Sequence, residues 1–252
     1  MIARRAEELA PFMVMEVLGR AREMERQGED IIHLEVGEPD FSVPSPIKKA
    51  TFQALEDGAT HYTHSLGDIE LREAICKHYL DAYGVEVRPE QVVVTSGTSP
   101  AMMLAFASLL ESGEEVIISD PAYACYPNFI KFLGGVPDRV PVYEQNGFQY
   151  RVSAIEERIN QKTKAILINS PSNPTGCLIS EEDMKAIAGL SPYIISDEIY
   201  HGLVYEGQEH SILEFTDRAF VLNGFSKLYA MTGYRLGYLL SLIHISDPTR
   251  PY

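Results

Sequence analysis

Cysteine is scarce in this chain: Cys76, Cys125 and Cys177 stand far apart and form no C-x-x-C pair. That argues against a disulfide framework and for a reducing compartment. Basic residues are also in deficit, with 21 Lys plus Arg against 36 Asp plus Glu and a formal charge of −15. So acidic a surface repels phosphate backbones, which argues against nucleic-acid binding but leaves room for one local basic pocket. Long apolar runs are missing too. The most apolar helical stretch, Ala101 to Leu110, is too short to span a bilayer. Arg4 and Arg5 are followed by Glu7 and Glu8 rather than by the apolar core of a signal peptide. The expected setting is cytoplasmic, with no membrane partner.

What is present is an ordinary globular composition, 45% apolar and 23% charged over 252 residues, with no repeats. This is enough for a substantial core in one large α/β domain or two small ones. Ala3 to Gln27 reads as a helix broken near Pro11, and Ile31 to Val36 as a short strand ended by Gly37-Glu38-Pro39-Asp40. Pro46 to Asp57 and Ile69 to Tyr83 read as amphipathic helices. In the second, Leu71, Ile75 and Tyr79 share a face, with Asp68 to cap the start and Gly84 the end. From residue 91 onward, short apolar runs alternate with helical stretches: Val92 to Val94, Val116 to Ile118, Ala165 to Ile168, Tyr193 to Ile195 and Phe220 to Leu222. Unbroken runs of this length, spaced by helices, are what a parallel sheet covered on both faces produces. Ser180-x-x-Asp183 has the form of a helix-starting capping box, with Asp in place of Glu.

Ligands of open parallel sheets sit at the carboxyl ends of the strands. Each run here is followed by a polar cluster: Thr95 to Ser99, Asp120-Pro121, Asn169 to Gly176, Ser196-Asp197-Glu198, and Gly224 to Lys227. The strand, turn and helix around Gly97-Thr98-Ser99 can bind an anion on free N–H groups, or can simply be a capped helix start. Ser226-Lys227, eight residues before Arg235, can form a Schiff base while the arginine pairs with phosphate; the alternative is a solvated lysine. Asp197 can cap a helix or can hold a proton on a pyridine nitrogen. His61-x-x-His64 has no further ligands near it in sequence, so no metal is expected. Met102 and Met103 read as core. His201, beside Tyr200, is placed near the cleft without a role.

Taken together, Asn173-Pro174-Thr175-Gly176, Ser196-Asp197-Glu198-x-Tyr200 and Ser226-Lys227 with Gly233-x-Arg235-x-Gly237 arrive in one order over residues 1 to 240. In this the chain resembles the class I and II aminotransferases, vitamin B6 enzymes with a shared dimeric fold. The resemblance implies an α/β fold with a mostly parallel seven-stranded sheet and helices on both faces. It divides the chain into an N-terminal arm and first part of a small domain (1–45) and a large pyridoxal-phosphate-binding domain (46–240). It implies amino-group transfer between an amino acid and a 2-oxo acid through a Lys227 Schiff base, in a homodimer. Lys227 would also be the proton carrier, Asp197 the partner of the ring nitrogen, and Asn173 and Tyr200 the partners of the phenolic oxygen. Tyr123 would stack on the ring. Thr98, Ser99, Ser226 and Arg235 would hold the phosphate, Tyr62 would reach the neighbouring subunit's site, and Gly37, with Asn173, would lie against the substrate. Asn173–Pro174 and Asp120–Pro121 would be cis. A C–S β-lyase on the same scaffold would share every one of these cofactor contacts. A transcription regulator built on the fold would need an N-terminal DNA-binding domain, which the chain's opening does not resemble.

The pattern breaks after Leu240. The family places there a further part of the small domain, including an arginine that grips the substrate carboxylate, and Arg250 in Pro248-Thr249-Arg250-Pro251 does not match it. Residues 241–252 read as a non-native tail, similar to translated sequencing-adapter sequence and expected to pack against nothing. On this reading the small domain is incomplete, and the chain can be a fragment without catalysis.

Overall fold

The computed structural model describes residues 3–7 and 9–242. Its centre is a seven-stranded sheet of β1 (Val92–Thr95), β2 (Glu115–Asp120), β3 (Val136–Pro141), β4 (Thr163–Asn169), β5 (Tyr193–Asp197), β6 (Ala219–Gly224) and β7 (Gly237–Ser241). The strand order is β1-β7-β6-β5-β4-β2-β3. Strands β3, β2, β4, β5 and β6 pair in parallel, and β7 runs antiparallel to both β6 and β1. The mostly parallel sheet expected from the sequence is the one observed.

The strand runs are unbroken because both sheet faces are covered. Side chains alternate across a strand: Ile117, Ile166, Ile194, Val221 and Leu240 enter one core, while Val116, Ile118, Leu167, Ile195, Leu222 and Leu239 enter the other. The first core is closed by α4 (Ile69–Tyr83), α7 (Val152–Glu156) and α8 (Glu181–Ala188), through Ile75, Tyr79, Ile155, Met184 and Ile187. The second is closed by α5 (Thr98–Leu109) and α6 (Tyr126–Phe132), through Met102, Phe106, Tyr126 and Ile130. Burying each such side chain stabilises the fold by about 1.5–3 kcal/mol relative to leaving it in water. Asp68 accepts from the Glu70 N–H and Gly84 closes α4 at φ 68°, as read. At the start of α8 only half of the expected capping box forms: Ser180 accepts from the Asp183 N–H, but Asp183 Oδ2 accepts from the Ser180 hydroxyl rather than from its N–H.

The N-terminal helix is broken as expected, into α1 (Arg4–Glu7) and α2 (Met13–Arg26), and α3 covers Ser45–Glu56. Three expectations are corrected. Ile31 to Val36 forms no strand: β-branched residues favour extension, but among the described residues no neighbour pairs with the segment, and Ile32 and Leu34 stay 83% and 89% exposed. The strand expected from Gly233 begins only at Gly237, because Thr232–Tyr234 closes a 3-10 turn and Arg235 takes a left-handed φ of 54°. The sheet also continues past Leu240, since the Ser241 hydroxyl donates to the Ala219 carbonyl at 2.8 Å and Leu242 packs on the first core. The rest of the expected tail, 243–252, lies outside the described residues.

Candidate active site

Thr95, Asp120, Asn169, Asp197 and Gly224 are the last residues of β1, β2, β4, β5 and β6. Since β7 is antiparallel to both β1 and β6, these five strands point the same way. Their carboxyl ends, and the polar clusters that follow them, share one edge.

At one part of this edge a helix start and a guanidinium form a cup of positive potential. Helix α5 begins after Gly97, which has φ 94° and no side chain to accept from the first-turn N–H groups. Those groups, on Thr98 and Ser99, carry the positive end of the helix dipole. Arg235 lies against them: its Nη1 donates to the Thr232 carbonyl at 2.9 Å, and its Nη2 stands 2.5 Å from where a Gly97 Cβ would be. Behind the cup, a Cβ on Gly237 would come within 2.7 Å of the Gly97 carbonyl carbon and 3.0 Å of the Thr98 nitrogen. Only glycine there lets β7 and the start of α5 approach this closely.

Lys227 follows the half-buried Ser226 just after β6. Its Nζ donates to the Gly37 carbonyl at 2.7 Å and stands 5.8 Å from the centroid of the Tyr200 ring. Burial lowers the lysine's pKa from its ordinary value; Glu38 opposes that shift and the Arg235 guanidinium adds to it. Thr232 donates to Glu38 at 3.0 Å and so ties the Gly37–Glu38 turn to the edge.

Asp197 is 5% exposed. Its Oδ2 accepts from the Tyr126 hydroxyl at 2.7 Å and its Oδ1 from the Ile199 N–H at 3.3 Å. Burial raises the carboxyl to about 6 in spite of those two hydrogen bonds. Asn169 links the end of β5 to the turn after β4: its Nδ2 donates to the Asp197 carbonyl at 2.8 Å, and its Oδ1 accepts from the Asn173 N–H at 2.6 Å. Asn173 Nδ2 then donates to the Tyr200 hydroxyl at 3.2 Å. Burial, followed by the charge of Asp197, raises the Tyr200 phenol, and the Asn173 contact partly offsets this. Tyr123 meets Tyr126 edge-on at 5.3 Å, and burial raises its phenol as well. Asp120–Pro121 and Asn173–Pro174 are cis as expected, and so is Ser170–Pro171, which the sequence reading did not anticipate.

Of the residues singled out in the sequence, Gly37, Thr98, Ser99, Tyr123, Asn173, Asp197, Tyr200, Ser226, Lys227 and Arg235 therefore gather along this edge. Tyr62 does not join them; its side chain is fully exposed. His201 is not in the cleft. It is buried, with Nδ1 2.7 Å from the Tyr83 hydroxyl. His64 Nδ1 accepts from the Leu66 N–H, and among the described residues no group of three or more His, Cys, Asp or Glu side chains could hold a metal. Nor is any described helix long and apolar enough to cross a membrane. The sequence reading missed Tyr126, and gave no individual role to Asn169 or Glu198 although it placed both in the polar clusters. The i, i+3 spacing of Tyr123 and Tyr126 at the head of α6 was the available signal for the first.

The sequence profile described as aminotransferase class I and II matches residues 29–245. The chain is 45% identical over 244 residues to a (5-formylfuran-3-yl)methyl phosphate transaminase of Methanocaldococcus jannaschii, an alignment covering 96% of this chain and 64% of that one. It is 40% identical to an aspartate aminotransferase of Thermotoga maritima, covering 96% of this chain and 66% of the relative. The structure superposes on aspartate aminotransferase from Thermus thermophilus with maleate at a TM-score of 0.93 and 36% identity, covering 96% of this chain and 64% of that one. The chain thus spans a little under two thirds of the length of these relatives. The family match covers most of the chain, and the chain belongs to the class I and II aminotransferases.

Proposed function

We propose that the protein represented by this chain is a pyridoxal-phosphate-dependent aminotransferase that moves an amino group between an amino acid and a 2-oxo acid. The observation that carries this is the position of Lys227. A partly buried amine of lowered pKa lies between a cationic anion cup and a buried carboxylate, over the ring of Tyr200.

The donor set fits the cofactor end to end. Pyridoxal phosphate has a phosphate at one end, a basic ring nitrogen at the other, and an aldehyde beside a phenolic oxygen between them. Across the edge, in strand order, lie the start of α5 after β1 with Arg235 before β7, Lys227 after β6, Asp197 and Tyr200 at and after the end of β5, and Asn173 after β4. Asp197 has no salt bridge among the described residues, so it can hold a proton on the ring nitrogen. Bound there, the cofactor supplies a conjugated ring that accepts the electron pair released at the substrate's Cα.

Lys227 would hold the aldehyde carbon, and its lowered pKa favours the unprotonated, nucleophilic amine. The same Nζ would act as the base for the proton at the substrate's Cα. Asn173 Nδ2 and the Tyr200 hydroxyl would donate to the phenolic oxygen, and Tyr123 would cover the ring face. Thr98, Ser99, Ser226 and Arg235 would hold the phosphate, and Gly37 would lie beside the substrate carboxylate. In this reading the enzyme is a homodimer, in which the exposed Tyr62 reaches the second copy's phosphate. Residues 1–45 form the arm and the first part of a small domain, and 46–240 the large domain.

The test is borohydride reduction of the chain loaded with pyridoxal phosphate, followed by peptide mapping. A pyridoxyl group on Lys227, absent from Lys227→Ala, is expected. Labelling at another lysine, or none in the unaltered chain, sinks the assignment.

A further inference from the structure

Asp197 and Glu198 are consecutive, yet they serve opposite faces of the sheet. Asp197 turns to Tyr126 in α6, whereas Glu198 turns to Tyr79 in α4. Glu198 is 0% exposed. Its Oε1 accepts from the Ser196 hydroxyl at 3.0 Å, the Ser211 hydroxyl at 3.1 Å and the Ile212 N–H at 3.0 Å. Its Oε2 faces the Tyr79 hydroxyl at 3.4 Å and His201 Nδ1 at 3.7 Å.

No Lys or Arg forms a salt bridge with it among the described residues. Burial raises its carboxyl to about 7 and pushes His201 down to about 4, so the histidine is a poor cation here. An unpaired buried carboxyl is costly, and an apolar side chain would pack the site at less cost. What an apolar residue could not do is collect three donors on one oxygen.

Those donors come from β5 itself and from the 3-10 turn Ile212–Glu214 with its cap Ser211. The backbone is fixed at the same point: the Glu198 N–H donates to the Leu222 carbonyl of β6 at 2.8 Å, and its carbonyl accepts from the His201 N–H at 3.0 Å. Glu198 thus anchors the middle of a turn whose two flanks are Asp197 and Tyr200. From this we infer that Glu198 is a positioning residue for the cofactor's ring: without touching it, Glu198 fixes the directions in which Asp197 and Tyr200 meet it. The inference rests on the pyridoxal-phosphate reading and adds to it a residue outside the ligand's reach.

The test separates ring from phosphate. Two probes are titrated against the chain: 4-deoxypyridoxine 5′-phosphate, which has the ring but no aldehyde, and inorganic phosphate, which needs only the cup. Glu198→Leu removes all four acceptor contacts at similar volume and should weaken the ring compound by about tenfold or more while leaving phosphate within about twofold. Glu198→Gln keeps an acceptor oxygen for the same donors and should bind both as the unaltered chain does. Ser196→Ala, a milder change should Glu198→Leu not fold, deletes one donor and should give a smaller loss, about threefold, again on the ring compound alone.

Equal loss on both probes would mean general loosening, and no loss on either would mean an idle carboxyl; each overturns the inference. If the unaltered chain binds the ring compound no better than phosphate, the functional reading itself fails, and this inference fails with it.

Discussion

Asp197→Asn offers a test in which stability and function move in opposite directions. In the fold the Asp197 carboxyl titrates at about 6, against about 3.9 in an unfolded chain. Because the folded value is the higher one, the folded state holds the proton more tightly. That stabilisation is complete below pH about 4 and is lost as the pH rises through about 6, a swing of about 3 kcal/mol. Asparagine does not titrate and escapes the loss. Its Oδ1 can still accept from the Tyr126 hydroxyl, but its Nδ2 would then confront the Ile199 N–H that Asp197 Oδ1 now accepts. Losing that hydrogen bond costs about 1 kcal/mol. Without cofactor, the variant should therefore be about 2 kcal/mol more stable than the unaltered chain at pH 8 and about 1 kcal/mol less stable at pH 4. Urea unfolding at constant ionic strength across that range, followed by circular dichroism, measures the difference directly. Glu198 titrates in the same window in both proteins, so to first order it cancels. A stability difference that stays constant from pH 4 to 8 would refute the reasoning, because the buried charge would then not be the source. With pyridoxal phosphate present the order should reverse at pH 8, since only the carboxylate can pair with a protonated ring nitrogen.

Arg235→Lys keeps the charge but loses the planar fork and the bond to Thr232, so affinity for pyridoxal phosphate should fall about tenfold by calorimetric titration. An unchanged affinity would show that the guanidinium is idle. Gly237→Ala forces a Cβ to within 2.7 Å of the Gly97 carbonyl carbon, and the overpacking should destabilise the chain by about 1–3 kcal/mol in denaturant titration. A midpoint like that of the unaltered chain would contradict the close approach of β7 to α5. Tyr126→Phe removes the 2.7 Å hydrogen bond that favours ionised Asp197. The acidic limb of cofactor binding against pH should move to higher pH, and a limb that stays or moves lower would exclude Tyr126 as Asp197's support.

The parts of the fold legible in sequence were those whose environment is uniform along the run. Strands β2, β4, β5 and β6 are buried on both faces and read as plain apolar stretches. Strand β3 escaped notice because it is an edge strand, where Pro137, Asp138, Arg139 and Pro141 are tolerated and no apolar run is needed. Ile31 to Val36 misled for the opposite reason: its residues favour extension, but pairing depends on a neighbour that local sequence does not specify. In the site, Lys227, Asp197, Asn173 and Arg235 lie in short motifs and could be read locally. Tyr126 and Glu198 could not, because what defines them is contact with residues 71 and 119 positions away. The nearness of Gly237 to Gly97 was hidden in the same way. Gly-x-Arg-x-Gly marked the residue, but not the backbone it would meet.

The place of β7 in the sheet also sets the order in which the molecule can be assembled. It is the last of the described strands, yet it lies between β1, the first of them, and β6. Until it is made, β1 has no strand to pair with among those described, although it leaves the ribosome early. Closing so long a loop is entropically slow and tends to make folding slow overall. The N–H groups of α5 and the guanidinium of Arg235 come together only when β7 inserts. A phosphate ligand held by both therefore recognises the finished sheet: it can restrain β7 from leaving but has no complete cup with which to guide the strand in.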